Sequence, residues 1–399
     1  MPGKISCATA RNKGRDLTVD EQDETRAETR KGKGMSVKSG KQKIRAYGLS
    51  VGKLPTGAKN DITDVADVRV GHVTLDYPLE EGEGEYVCTG VTAILPHGGS
   101  LFREKVTAAS CVLNGFGKTI GLVQVNELGL LESPIMLTNT FSVSAVAQGT
   151  LQYMLEQHEE IGETTGTVNI VVGECNDSHL NSIRRCAVTP EHAMEAIRRA
   201  STDPVQEGAV GAGKGMVCFG YKGGIGSSSR VVQADGKRFT VGVLVLSNFG
   251  RKEDLRLPQL LASANLQPPA VQNPADGSII IVLATDAPLS DRQLLRLAKR
   301  TGIGLGRTGS HFSHGSGDIV IAFSTAHKIP HQAESCLETR FQLREDHPIM
   351  EQLFAASAEA TEEAIYNSLS QAVTTTGRRG RTVHALDFGT LIASGTFQT

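Results

Sequence analysis

The stretch Asn273-Pro274-Ala275-Asp276-Gly277-Ser278 runs straight into Ile279-Ile280-Ile281-Val282-Leu283. Its first half is a turn signal built from Asn, Pro, Asp and Gly. Its second half is a continuous Ile/Val/Leu run, the pattern of a β-strand covered on both faces. Ser278 is the first residue of that strand. Working outward from it, strand and helix signals alternate from Tyr47 onward.

Ile62 to Val73 reads as extended chain, Val91 to Leu95 as a short buried strand, and Thr167 to Val172 as another. Arg230 to Leu246 reads as a hairpin turning at Asp235-Gly236. Asp318 to Phe323 is a further strand. Phe141 to His158 reads as a helix capped by Ser142 or Ser144. Thr189-Pro190-Glu191 opens a helix to Ala200, with Thr at the cap and Pro at the first position. Ser290 caps a helix through Arg300, and Pro348 to Ala372 is a long helix. Many strands with several long helices imply a mixed α/β layered protein.

The chain has 399 residues, with 39% hydrophobic and 21% charged residues, which fits a globular protein. Its net charge of −2 gives no support for nucleic-acid binding. No run of 18 apolar residues occurs, so no membrane span is expected. The seven cysteines are scattered and never form CxxC, which suits free thiols in a reduced, cytoplasmic setting. Residues 1–46 differ from the rest. Twelve Lys/Arg against six Asp/Glu leave them at +6 and the remainder at −8. They lack apolar periodicity and read as a disordered charged extension ahead of a single domain, 47–399.

Three motifs lack their context. Gly48-Leu49-Ser50-Val51-Gly52 matches a hydrolase nucleophile elbow, but a charged tail precedes it in place of a strand. Gly208 to Gly215 nearly matches a phosphate loop, but Gly215 lacks the metal-binding hydroxyl. Gly304-Leu305-Gly306-Arg307-Thr308-Gly309 matches GxGxxG, yet it follows a helix. His311 and His314 have no third ligand nearby, so no metal is expected.

The Gly277–Ser278 bond carries the chemistry. A small residue before a hydroxyl leaves room for attack on the preceding carbonyl. The peptide becomes an ester, and water then splits the chain. The new N-terminus holds a hydroxyl nucleophile beside an α-amine whose ordinary pKa is about 7.7–8.0, so the amine serves as the local base.

At this point the chain resembles the family of L-aminopeptidase/D-esterase-amidases and β-peptidyl aminopeptidases. The resemblance covers roughly Tyr47 to Ser394. It rests on Asn60-Asp61-Ile62-Thr63-Asp64-Val65 leading to Val70-Gly71-His72, on Glu132-Ser133-Pro134-Ile135 with Thr138-Asn139-Thr140, and on Gly211-Ala212-Gly213 through Lys222-Gly223-Gly224-Ile225-Gly226. Leu246-Ser247-Asn248-Phe249-Gly250, Asp276-Gly277-Ser278 with Ala284 to Leu289, and His314-Gly315-Ser316-Gly317-Asp318 complete it.

The resemblance implies a four-layer α/β/β/α sandwich similar in topology to ornithine acetyltransferases. It implies a precursor that cuts itself into subunits 1–277 and 278–399, and a homo-oligomer, commonly a tetramer of cleaved heterodimers. It implies release of N-terminal residues from peptides, amides or esters without metal or cofactor. Residue by residue, Ser278 matches the nucleophile and Asn248 the oxyanion-stabilising side chain. Ser316 and Asp318 match the pair that orients the Ser278 amine. Glu132 matches an acceptor for the substrate's ammonium, with Asn139 and Gly213 as further pocket residues. Two alternatives stand beside this reading: acyl transfer as in ornithine acetyltransferases, which Ser in place of Thr disfavours, and an unprocessed binding homologue.

Overall fold

The computed structural model describes residues 41–257, 277–333 and 335–393. The expected turn at Asn273–Asp276 therefore lies outside the described residues, as does the tail up to Gly40. In chain order the main elements are β1 (Arg69–Pro78), β2 (Tyr86–Leu95), β3 (Glu104–Gly115), α1 (Leu122–Leu128), β4 (Leu130–Leu131) and β5 (Ile135–Asn139). Then come α2 (Val143–Gln157), β6 (Val171–Cys175), α3 (Pro190–Arg198), β7 (Val217–Cys218), β8 (Tyr221–Lys222), β9 (Gly224–Ala234) and β10 (Lys237–Asn248). The last are β11 (Ser278–Thr285), α4 (Asp291–Arg307), β12 (Gly317–Pro330) and α5 (Ile349–Ser370).

The fold is mixed α/β. One sheet runs β1-β2-β5-β6 and a larger one β4-β3-β12-β11-β10-β9. β11 lies antiparallel to β10 and parallel to β12. Every residue of β11 is buried. Ile279, Ile281 and Leu283 join the core shared with α4 and α5, which contains Leu294, Leu297, Leu353 and Ile365. Ile280, Val282 and Ala284 join a different core, with Ile135, Leu137 and Val171 of the smaller sheet. The period-2 alternation of strand side chains thus delivers the continuous apolar run to two separate cores. Each such side chain contributes about 1.5–3 kcal/mol by leaving water. A third core joins Val91, Ala93 and Met136 to Val146, Ala193 and Ile197 of α2 and α3.

Local signals explain the ends of these elements. The β9–β10 hairpin turns at Asp235 and Gly236, with φ of 51° and 71°, the left-handed values that a two-residue turn requires. Ser290 caps α4, accepting from Gln293 N at 3.2 Å. That helix runs to Arg307, past the expected Arg300, because Gly304 lies against Ala358 of α5 and helix packing continues there. The Ile62–Val73 segment divides: Asp61 caps a short 3-10 turn over Ile62–Asp64, and the strand starts only at Arg69. β6 also starts later than read, at Val171.

The described structure already includes Lys41 to Ala46, ahead of the expected boundary at Tyr47. Lys43 pairs with buried Glu207 at 2.7 Å. Arg45 grips Glu363 through Nε and Nη2 at 2.7 and 2.8 Å. Ile44 between them is buried in the core. Composition marks these cations as tail, whereas their carboxylate partners lie far off in sequence. Glu363 is shared with Arg230, a fully buried side chain that also reaches Glu359, so three elements meet on one ion network. Among the described residues no helix is long and apolar enough to cross a membrane.

Candidate active site

Four strand ends converge around Ser278. Ser278 opens β11 directly opposite Asn248, the last residue of β10. On its other side, β12 starts with Gly317 and Asp318. Gly317 N–H donates to Ser278 Oγ at 3.1 Å. The Ser278 oxygen is therefore held by a backbone donor at a strand start, and the residue is buried.

Gly277 is fixed by close approach. A Cβ there would stand 2.3 Å from the Asn248 carbonyl oxygen and 2.5 Å from the Phe249 α-carbon. Both are backbone atoms with little freedom to withdraw. Only glycine lets the Gly277–Ser278 bond lie on the end of β10.

Asn248 is held from both ends of its amide. Its Oδ1 accepts from Val217 N at 2.8 Å, and its Nδ2 donates to Asn176 O at 3.0 Å. This fixes which end of the amide is the donor.

Ser316 Oγ donates to Asp318 Oδ1 at 2.6 Å. Asp318 Oδ2 is buried with no hydrogen-bond partner among the described residues. Burial pushes the Asp318 carboxyl up to about 6, against the lowering effect of the Ser316 hydroxyl. Asn114 at the end of β3 donates to Ser313 O and Ser316 O, which pins the turn that carries this pair.

Glu132 lies elsewhere in the chain. It pairs with Lys105 at the start of β3, and its Oε1 accepts from Asn169 N and Nδ2 at 2.8 and 3.1 Å. Asn114, which holds the Ser316 turn, is at the other end of that strand, about 30 Å away at ~3.3 Å per residue. Within one chain Glu132 and Ser278 are not brought together. Asn139 is at the correct end of its sheet, and its amide, like that of Asn248, is anchored at both ends. Oδ1 accepts from Phe141 N and Ser142 N, and Nδ2 donates to Thr89 Oγ1 at 2.8 Å. Gly213 is buried in a 3-10 turn against Ile225 N, where a Cβ would clash at 2.5 Å.

A residue that the sequence reading passed over is at the site. Glu174 on β6 is buried and accepts from Lys118 N at 3.0 Å and from Thr140 Oγ1. It borders Gly117, which packs on Gly317, the residue that holds Ser278 Oγ. Its signal was a charged residue inside the apolar run Val171-Val172-Gly173-Glu174-Cys175. Tyr153 is remote. It lines a cavity of about 460 Å³ with Arg69, Leu95 and His158. That cavity opens at the Leu95 end of β2, whereas Asn139 ends β5 at the opposite side of the sheet.

Comparison with known proteins identifies the family. The family described as Peptidase family S58 matches residues 60–383. Beta-peptidyl aminopeptidase BapA of Sphingosinicella microcystinivorans is 42% identical, over 84% of this chain and 88% of that protein. A solved structure from Pyrococcus horikoshii OT3 is 50% identical, with a TM-score of 0.81 over 88% of this chain and 98% of that one. The L-aminopeptidase D-Ala-esterase/amidase of Ochrobactrum anthropi, described as a variant of the Ntn hydrolase fold, is 32% identical with a TM-score of 0.79, over 88% and 98% of the two chains.

Proposed function

The chain belongs to peptidase family S58, and from that membership we propose that it cuts its own Gly277–Ser278 bond to free the nucleophile of the mature enzyme. It is a hydrolase of the aminopeptidase type. The observation that carries the proposal is the packing at the bond itself. Gly277 has no room for a side chain, Ser278 Oγ is fixed by Gly317 N–H, and an unpaired carboxylate oxygen waits at Asp318.

In self-cleavage, Ser278 Oγ attacks the Gly277 carbonyl carbon and the Oγ proton passes to the Ser278 nitrogen. The C–N bond breaks and an ester forms. Water hydrolyses the ester, which leaves a Gly277 carboxylate, a free hydroxyl and a free α-amine. In turnover, that amine takes the Oγ proton as the hydroxyl attacks the substrate carbonyl, then returns it to the leaving amine. Water then releases the acyl group. Asn248 Nδ2 stabilises the oxyanion in both reactions. Asp318, supported by Ser316, accepts a hydrogen bond from the new α-amine, holds its lone pair toward Oγ, and stabilises the ammonium that forms once the Oγ proton is taken.

Glu174 is the acceptor for the substrate's ammonium in this reading, in place of Glu132. A buried carboxylate beside the nucleophile selects a free amino terminus by charge-assisted hydrogen bonding. The relationship to BapA supports β-amino acyl substrates alongside L-residues. The three cores support a four-layer α/β/β/α order, with helices outside and both sheets within, as in ornithine acetyltransferases. Exposed Val112, Val123, Leu128 and Ile303 on β3, α1 and α4, with Phe116 just past β3, support a homo-oligomer. The described cysteines are free thiols, which supports a cytoplasmic setting. The test is hydrolysis of L-alanyl and β-alanyl p-nitroanilides: release by the wild type and none by Ser278→Ala. Activity that survives in that variant would overturn the assignment of the nucleophile.

A further inference from the structure

Lys222 is fully buried on β8, yet it has no ion-pair partner among the described residues. Its Nζ donates to three backbone carbonyls: Gly213 O at 2.9 Å, Met216 O at 2.8 Å and Gly223 O at 2.8 Å. Three protons on an ammonium match three acceptors, so each donor is used. One acceptor leads directly to the active site. Met216 O and Val217 N belong to the same peptide group. The oxygen accepts from Lys222 Nζ, and the N–H donates to Asn248 Oδ1 at 2.8 Å.

From this geometry we infer that Lys222 is a positioning residue for hydrolysis, acting through the Met216–Val217 peptide to hold the Asn248 amide with its Nδ2 donor toward the oxyanion. A peptide plane is rigid, so fixing its oxygen fixes the direction of its N–H. A cation on the oxygen also polarises the group and strengthens the bond that the N–H makes. Gly213 and Gly223, the other two acceptors, anchor the flanks of the same loop, so the clamp resists rotation of the plane.

Ordinary packing alone accounts poorly for this lysine. Burial pulls its ammonium down to about 7, while the three carbonyl dipoles favour the charged form. A hydrophobic residue of similar length would avoid that conflict. Keeping the cation has a purpose if its target is the Met216 carbonyl. The nearby Lys214 does not share this task, because it reaches outward to Asp76 at 2.7 Å.

The inference rests on the reading of Asn248 as the oxyanion donor, so the experiment separates the two. Lys222→Met, Asn248→Ala and the double variant are compared on an aminoacyl p-nitroanilide, with kcat taken per cleaved site counted by intact mass. Lys222→Met is expected to lose at least about ten-fold in kcat with KM little changed, because the substrate's ground state does not use Asn248. The double variant is expected to lose no more than Asn248→Ala alone. Losses that multiply in the double variant would overturn the inference and leave the Asn248 reading intact. An Asn248→Ala enzyme with wild-type kcat would instead overturn the Asn248 reading. If Lys222→Met is not recovered folded, Lys222→Gln, which keeps two donors, takes its place. A folded Lys222→Gln enzyme with lowered melting temperature but unchanged kcat would contradict the positioning role.

Discussion

Asn248 and Ser278 face each other across the β10–β11 pair, and the Asn248 carbonyl closes on the α-carbon of Gly277. The residues proposed as oxyanion donor and nucleophile are thus neighbours by strand register, and a single glycine makes the approach possible. A Cβ at position 277 would fall 2.3 Å from that carbonyl. Gly277→Ala must therefore push the scissile peptide off β10. We expect cleavage at least about ten-fold slower, since small misplacements of reacting atoms have large effects on rate. Time-resolved gel analysis of freshly purified protein checks this. Cleavage at the wild-type rate would contradict it.

Asn248→Ala removes the donor but keeps the strand pairing. Mutation of one such donor reduces kcat about 10²–10³-fold. The expected pattern is that loss with KM nearly constant, in the fraction of enzyme already cut. Steady-state kinetics on cleaved sites decides it.

The two buried glutamates should part company. Glu174→Gln removes a charge beside Gly117 and Gly317. KM for a free-amine substrate should rise about ten- to hundred-fold, the value of a charge-assisted bond. Glu132→Gln should leave both kinetic constants unchanged per folded enzyme. It breaks the pair with Lys105, which destabilises the fold by about 3 kcal/mol. Kinetics and urea unfolding on both variants make the comparison. A KM effect at Glu132 would restore it to the site, through a neighbouring chain.

Asp318 gives a pH signature in the uncut chain. Its folded pKa is raised to about 6 from an ordinary 3.8. The folded state therefore holds the proton more tightly, and the stability that Asp318 contributes is present below pH 4 and lost as pH rises through 6. In a Ser278→Ala background, Asp318→Asn should be equal to or below its parent in stability at pH 4. It should exceed the parent by about 1–2 kcal/mol above pH 7. In the cleaved enzyme the new ammonium would pair with Asp318, and the same substitution should instead lower kcat. Unfolding curves across pH on the precursor test the first half.

What the sequence made legible follows from range. The Ile279–Leu283 run, the Asp235-Gly236 turn and the Ser290 cap are local patterns, and the structure places strand, hairpin and helix there. Ser278, Asn248, Ser316 and Asp318 could be singled out together only through family resemblance, since β10, β11 and β12 meet by long-range pairing. Glu132 was also drawn in through the resemblance, whereas in the structure Lys105 and Asn169 hold its carboxylate. Glu174 was passed over because the strand reading stopped at Val172. The role of Lys222 depends on three carbonyls, which no residue pattern displays. Likewise the tail boundary hid Lys43 and Arg45, whose partners Glu207 and Glu363 are distant in sequence.

The central claim is that Ser278 frees its own amino terminus. Intact-mass analysis of purified wild type beside Ser278→Ala tests it most directly. The account predicts a wild-type protein in two pieces, one ending at Gly277 and one beginning at Ser278, and a variant that stays whole. A folded wild-type chain that remains uncut while hydrolysing its substrate would contradict it.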